Sequence, residues 1–358
     1  MKALYNMNRV FITGVGCITP LGNNINELWN SLINGVCGID FIQQIDRTDL
    51  PVKIAAEVKD FKPEDFGIDK TMIRHNDRFA LFALAAAAQA MADSGLRVGE
   101  DIDPRRFGTA IGSGIGGIKT FEREHASKLQ YGLRRISPLF IPEMISNIAG
   151  GNVAITYNAQ GPNIPVVTAC ATGTHSVGEA YRLIHEGRAD AVITGGTEAA
   201  ICEMAVGGFN NMKALTQAED PMAASLPFDV RRKGFVLGEG CGILVLESEA
   251  LAKRRGAKIY AEVAQDWSPL RPFIRLKRTE FLHIGAALPV KALKFLLTLL
   301  TLVCRSLFQS QSLIVICKCI IIIDIRNRVV LRNEFVAKCH ALVISGKVKE
   351  QCLLDYLR

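Results

Sequence analysis

The sequence predicts an α/β fold with a mostly parallel sheet. Three observations carry this expectation. Short apolar runs such as 9–14, 107–111, 165–169 and 189–195 have strand length and strand composition. Amphipathic or small-residue stretches of helical period lie between them, and the two kinds alternate along the chain.

Arg9-Val-Phe-Ile-Thr-Gly14 reads as a buried strand. Residues 26–34 follow as a short helix with Leu28, Trp29 and Leu32 on one side. Residues 78–94 give the clearest helix, with Phe79, Phe82, Ala83, Ala86 and Ala90 at three- and four-residue spacing and Ser94-Gly95 as a stop. The run Ala85 to Ala88 would let that helix approach a neighbour closely. Residues 107–111 form a second strand, and 141–157 read as one helix ending before Gly161-Pro162. Residues 165–169 are expected as a strand, 173–185 as a helix with Val177, Ala180, Tyr181 and Ile184 on one face, and 189–195 as a buried strand. Between 234 and 247, two strand-like runs bracket Gly238, Gly240 and Gly242, and 248–255 close the series as a helix.

The chain has 358 residues, 49% of them hydrophobic and 22% charged, which excludes a disordered or collagen-like chain. The net charge of +7 divides unevenly. Residues 267–358 hold 15 Lys+Arg against 5 Asp+Glu, whereas the residues before them hold 27 against 30. The main body is mildly acidic, and no nucleic-acid partner is expected. Residues 267–358 also carry only two of the 31 glycines, Gly285 and Gly346, but five of the ten cysteines. Neither a secretory signal nor an apolar stretch of the ~18–20 residues that span a bilayer is visible. The scattered cysteines suggest a reducing compartment without a disulfide framework. The expected location is cytoplasmic, or the mitochondrial matrix or plastid if residues precede Met1.

Two glycine patterns are weak. Gly112, Gly114 and Gly117 fit G-x-G-x-x-G, but a dinucleotide site also needs a following strand that ends in an acidic residue, and the charged segment 119–131 shows no such strand. The same segment misses the phosphate-loop pattern because Ile118 separates Gly117 from Lys119.

Cys170 lies where a β-rich run meets a turn rich in Gly and Thr that opens an amphipathic helix. A thiol at a helix start feels the positive end of the dipole, which favours its thiolate, and Gly173 would remove bulk beside it. The segment Thr168-Ala-Cys170-Ala-Thr-Gly-Thr-His175-Ser-Val-Gly178 resembles the nucleophile segment of the type II 3-oxoacyl-[acyl-carrier-protein] synthases. Further segments are similar in the same order: 10–16 with Thr19-Pro-Leu-Gly22, 111–117, 136–142, Gly207-Gly-Phe209 with Lys213-Ala-Leu215, 233–240 and 255–263.

The resemblance implies a thiolase-like layered αβαβα fold, its N-terminal half well matched and its C-terminal half incomplete, in an enzyme that is usually a homodimer. It also implies a decarboxylative Claisen condensation of an acyl group, held as a thioester, with malonyl-acyl carrier protein in fatty-acid elongation. On that pattern Cys170 is the nucleophile and its N–H an oxyanion donor. Ile115, Phe140 and Phe209 would line the acyl pocket, Phe140 reaching that of the partner subunit. Arg74 and Lys213 would meet the acidic acyl carrier protein, and His175 would support structure. No cofactor and no metal are implied.

The resemblance covers nearly all of residues 9–263, and residues 1–263 are taken as a beta-ketoacyl synthase N-terminal region. Residues 264–358 form a divergent Leu/Ile/Arg-rich segment without the family's Asn-Ala-His-Gly-Thr and Gly-Phe-Gly-Gly motifs. Lys277 and His283 are the one faint echo of its lysine–histidine segment. Cys317, Cys319, Cys339 and His340 fit no zinc spacing. The expectation is an acyltransferase that is inactive or partial as the chain stands. A non-catalytic acyl- or carrier-binding half-enzyme, a polyketide-type ketosynthase and a thiolase remain as alternatives.

Overall fold

The first strand, β1 (Val10–Ile18), runs four residues beyond the predicted end at Gly14. It continues because Gly14 and Gly16 face a helix at backbone contact. A Cβ on Gly14 would stand 2.2 Å from the Ala90 carbonyl oxygen, and one on Gly16 2.1 Å from that of Ala86. That helix is the alanine-rich segment, observed over the predicted residues Arg78–Ser94, with Asp77 at its N-cap and Gly95 in the left-handed conformation at its end. Small side chains on both partners permit this approach. The computed structural model describes residues 7–265 and 272–276.

In chain order the elements are β1, α1 (Ile25–Ile33), β2 (Asp40–Phe41), β3 (Ile54–Ala55), α2 (Lys70–Arg74), α3 (Arg78–Ser94), β4 (Phe107–Gly112), α4 (Ile118–Tyr131), α5 (Phe140–Met144) and α6 (Ile148–Thr156). Then come α7 (Thr172–His185), β5 (Ala191–Glu198), α8 (Glu203–Asn211), α9 (Pro221–Ala224), β6 (Gly240–Ser248), α10 (Glu249–Arg254), β7 (Ala261–Gln265) and β8 (Pro272–Leu276). The main sheet has the order β4-β5-β6-β1-β7-β8.

The sheet corrects the expectation of mostly parallel strands. Only β4 and β5 pair in parallel; β6 is antiparallel to both β5 and β1, and β7 and β8 continue antiparallel. β1, β4 and β5 do share one direction, so the sequence pattern of alternating strands and helices is real. Strand β6 inserts between them in the opposite sense, which periodicity alone does not reveal.

Alternate strand residues feed opposite faces, as the period of two requires. Phe107, Ile111, Ile193, Ile243 and Val245 pack with Phe79 and Phe82 of α3 on one face. Ala110, Val192, Leu246, Val10 and Ile12 pack with Ala180, Leu183 and Ile184 of α7 on the other. The described residues thus form a helix–sheet–helix sandwich.

Three further predictions change. Helix α1 buries none of its residues, and Trp29, expected beside Leu28 and Leu32, is 55% exposed. The single helix expected over 141–157 is broken into α5 and α6. The break follows from the loop before α4: the Gly117 N–H takes the Met144 carbonyl at 2.9 Å, and a Cβ on Gly117 would lie 2.5 Å from the Glu143 carbonyl. Residues 165–169 are not a ladder strand. They extend past the edge of β4, attached by an isolated bridge between Thr109 and Asn163, with Val167 52% exposed. Pro165 has no N–H for a ladder, and the Thr168 N–H is taken by the Thr172 hydroxyl. Of the two strand-like runs over 234–247, only the second forms a strand, β6.

Candidate active site

Strands β4 and β5 end side by side, with Gly112 opposite Gly196. Cys170 lies over this carboxyl edge, where parallel strands of α/β sheets leave room for a ligand. It occupies a single 3-10 turn, Ala169–Ala171, directly before α7. Ala169 has φ of +50°, left-handed for a residue with a side chain. This sharp reversal lets an exposed thiol stand at the start of the helix.

Neighbouring contacts hold the turn. The Ala171 N–H donates to the Thr168 carbonyl at 3.0 Å, the Thr168 N–H donates to Thr172 Oγ1 at 2.8 Å, and His175 Nδ1 is 2.8 Å from Thr168 Oγ1. His175 therefore ties the first turn of α7 to the segment entering it. The Cys170 N–H has no acceptor among the described residues. Gly112 clears the approach, since a Cβ there would stand 2.1 Å from the Val166 carbonyl and 2.4 Å from Thr172 Cγ2. Gly173 has a different role from the one its position suggests. Instead of opening space beside the thiol, it seats α7 on β5, where a Cβ on Gly196 would lie 2.8 Å from Gly173 Cα.

The five described cysteines differ in setting. Cys17, Cys202 and Cys241 are buried, Cys37 is intermediate and Cys170 alone is exposed. Burial pushes the Cys17 thiol up to about 12 and that of Cys202 up to about 11, and raises Cys241 as well. Those three are inert packing residues.

Between β4 and α4, the glycine loop 113–117 comes beside the cysteine turn. A Cβ on Gly114 would be 3.2 Å from the Ala169 carbonyl. Ile115, the next residue, is 40% exposed. A helix, α4, opens after this loop and, as expected, no strand falls within 119–131, but the loop's own amides are already occupied. Gly114 N–H and Ile115 N–H donate to Glu198 Oε2 at 2.9 and 3.1 Å, and Ser113 Oγ donates to Oε1 at 2.9 Å. A protein carboxylate fills the place a phosphate would take. Desolvation pushes the Glu198 carboxyl up to about 7, against the pull of these donors. Sequence reasoning missed Glu198; the only signal was an acidic residue ending a buried strand.

The remaining candidates are dispersed. Phe140 opens α5, half-buried, its ring 6.2 Å from that of Phe121. Phe209 on α8 packs edge-on against Phe235 at 5.5 Å, at the border of a small core with Ile201, Val206 and Leu215. Arg74 is exposed at the end of α2, its Nε donating to the Lys70 carbonyl at 3.2 Å. Lys213 is exposed just after α8 with φ of +59°. Lys277, His283 and the cysteines after residue 300 lie outside the described residues. Among the described residues no group of three or more His, Cys, Asp or Glu is placed to hold a metal, and no helix is long and apolar enough to cross a membrane.

A mixed sheet between helices, with a cysteine at a helix start beside a glycine loop, defines the thiolase-like class of condensing-enzyme folds. The chain belongs to the beta-ketoacyl synthase family, whose N-terminal domain matches residues 7–252. It is 48% identical over 255 residues to 3-oxoacyl-[acyl-carrier-protein] synthase 2 of Staphylococcus aureus strain COL, covering 71% of this chain and 61% of that protein. Against the same enzyme of Coxiella burnetii it is 47% identical over 256 residues, with the same coverage. The chain thus spans about three fifths of the length of these curated relatives. Among solved structures it resembles a type II polyketide synthase acyl-carrier protein in complex with its ketosynthase bound to the hexaketide. That match has a TM-score of 0.65 and 35% identity, over 72% of this chain and 62% of that one. A beta-ketoacyl synthase from Burkholderia phymatum matches with the same TM-score at 32% identity, over 72% and 63%.

Proposed function

We propose that this chain is a 3-oxoacyl-[acyl-carrier-protein] synthase by descent whose described residues carry out the acyl-transfer half of the condensation. The observation that supports this most is the Cys170 turn: an exposed thiol at a helix start, with its own N–H unclaimed among the described residues. In this reading the thiolate attacks the thioester carbonyl of acyl-acyl carrier protein, and the Cys170 N–H stabilises the developing oxyanion. The tetrahedral intermediate collapses with cleavage of the carrier's C–S bond, its phosphopantetheine sulfur leaves as the thiolate and takes from solvent the equivalent of the proton Cys170 released, and the acyl group stays on Cys170 Sγ. Ile115, on the adjoining loop, borders the acyl route, with Phe140 and Phe209 further along it. Arg74 and Lys213 offer exposed positive charge to an acidic carrier.

In the family reaction, malonyl-acyl carrier protein then loses carbon dioxide and its carbanion displaces Sγ. Residues 264–358 contain neither the Asn-Ala-His-Gly-Thr histidine motif that serves this step in the family nor its Gly-Phe-Gly-Gly loop, so we assign only the acyl-transfer half to the described residues. We take 1–263 as the condensing-enzyme region and 264–358 as a segment without family motifs. The fatty-acid reading is favoured over the polyketide one by 48% identity to the former enzymes against 35% to the polyketide ketosynthase complex.

The test offers the purified chain acyl-acyl carrier protein and radiolabelled malonyl-acyl carrier protein and follows both half-reactions. The expected result is release of free carrier by wild type, none by Cys170→Ala, and carbon dioxide at background in both. Free carrier released equally by Cys170→Ala would overturn the acyl-transfer reading, and carbon dioxide above background would overturn the assignment to one half-reaction.

A further inference from the structure

We propose that Glu198 is a positioning residue of this site: its carboxylate holds loop 113–116 against the Cys170 turn and so sets where Ile115 stands beside the thiol. The inference deepens the acyl-transfer reading and rests on it only for the nature of the group that passes Ile115. Glu198 ends β5, and its two oxygens collect the amides of Gly114 and Ile115 and the hydroxyl of Ser113. Ser113 Oγ in turn accepts the Gly116 N–H at 3.0 Å, which fixes the left-handed turn at Gly116, φ +78°.

The loop is thereby pinned from one side by a carboxylate and from the other by the cysteine turn. At Gly114 both limits appear together, since a Cβ there would be 3.0 Å from Glu198 Oε2 and 3.2 Å from the Ala169 carbonyl. The arrangement is chemically unusual for a structural carboxylate. Among the described residues the groups that act on Glu198 are the Ser113 hydroxyl and loop amides rather than a cation, and burial favours its neutral form. A carboxylate kept partly out of water with only amide and hydroxyl donors is a costly way to close a loop unless the loop's position matters. Ile115 and the residue before Cys170 are what that position controls.

The test needs no acyl carrier protein. Alkylation of Cys170 by N-alkylmaleimides of short and long chain is timed by peptide mass spectrometry at pH 8, alongside hydrogen exchange of the Gly114, Ile115 and Gly116 amides. The expected result for Glu198→Ala is loss of protection at those amides and a change of about fivefold in the long-to-short rate ratio, the scale of one lost hydrogen bond. Glu198→Gln, which keeps an acceptor of the same reach, should restore part of both. A merely structural role would change both maleimide rates in the same proportion. That outcome, or wild-type protection in Glu198→Ala, would overturn the proposal. Failure of the acyl-transfer reading shows separately, as wild type that alkylates normally yet takes no acyl group from the carrier.

Discussion

Two residues hold opposing kinds of strain at this site. Ala169 accepts a left-handed backbone, costing on the order of 1–3 kcal/mol, so that Cys170 can stand clear of the sheet. Glu198 accepts partial desolvation, so that the neighbouring loop has a fixed seat. The second has a measurable sign. With its acidity near pH 7 in the folded chain against the ordinary carboxyl range unfolded, Glu198 holds its proton longer in the native state. Its contribution to stability is full at low pH and is lost as pH rises from about 4.5 to about 7. Between pH 5 and pH 7.5 wild type should lose about 2 kcal/mol more than Glu198→Gln in urea unfolding. Equal pH slopes in the two proteins would show that the carboxyl titrates normally.

At the scale of elements, the close approach of α3 to β1 organises the sandwich. Sequence periodicity gave the helix to the residue, because alanines at buried positions, an Asp at its start and Gly95 at its end all agree. It could not give the strand's length, since Gly14 and Gly16 look like a stop until the helix that needs them is in place. The α5–α6 break and the antiparallel insertion of β6 were hidden for the same reason: both depend on partners distant in sequence. Gly16→Ala should lower stability by at least about 1–3 kcal/mol, because the added methyl meets backbone rather than a movable side chain. Gly151→Ala in α6, where no atom lies within 4 Å of the new methyl, should be neutral or stabilise by up to about 1 kcal/mol. Thermal melts of the two variants check the contrast; similar melting points would refute the close-contact account.

For the whole molecule, the layered arrangement explains why the site was only partly legible. Cys170 stood out in the sequence through the resemblance of the contiguous segment 168–178 to the family's nucleophile segment, since a cysteine at a helix start is by itself more often a packing residue. Glu198, Gly196 and the loop at 113–117 reach it from elements on either side along the chain, and only the parallel pairing of β4 with β5 brings them together. Phe209, which the resemblance places on the acyl route, packs edge-on against Phe235 at the border of a small core with Ile201, Val206 and Leu215.

The central claim is that this fold presents one cysteine for acylation. The most direct measurement mixes the chain with acyl-acyl carrier protein, quenches in acid and maps the acyl mass onto cysteine peptides. The expected result is a thioester on the peptide containing Cys170, with Cys17, Cys202 and Cys241 unmodified. An acyl group on a buried cysteine instead, or none on Cys170 while the carrier stays competent with a known synthase, would contradict the account.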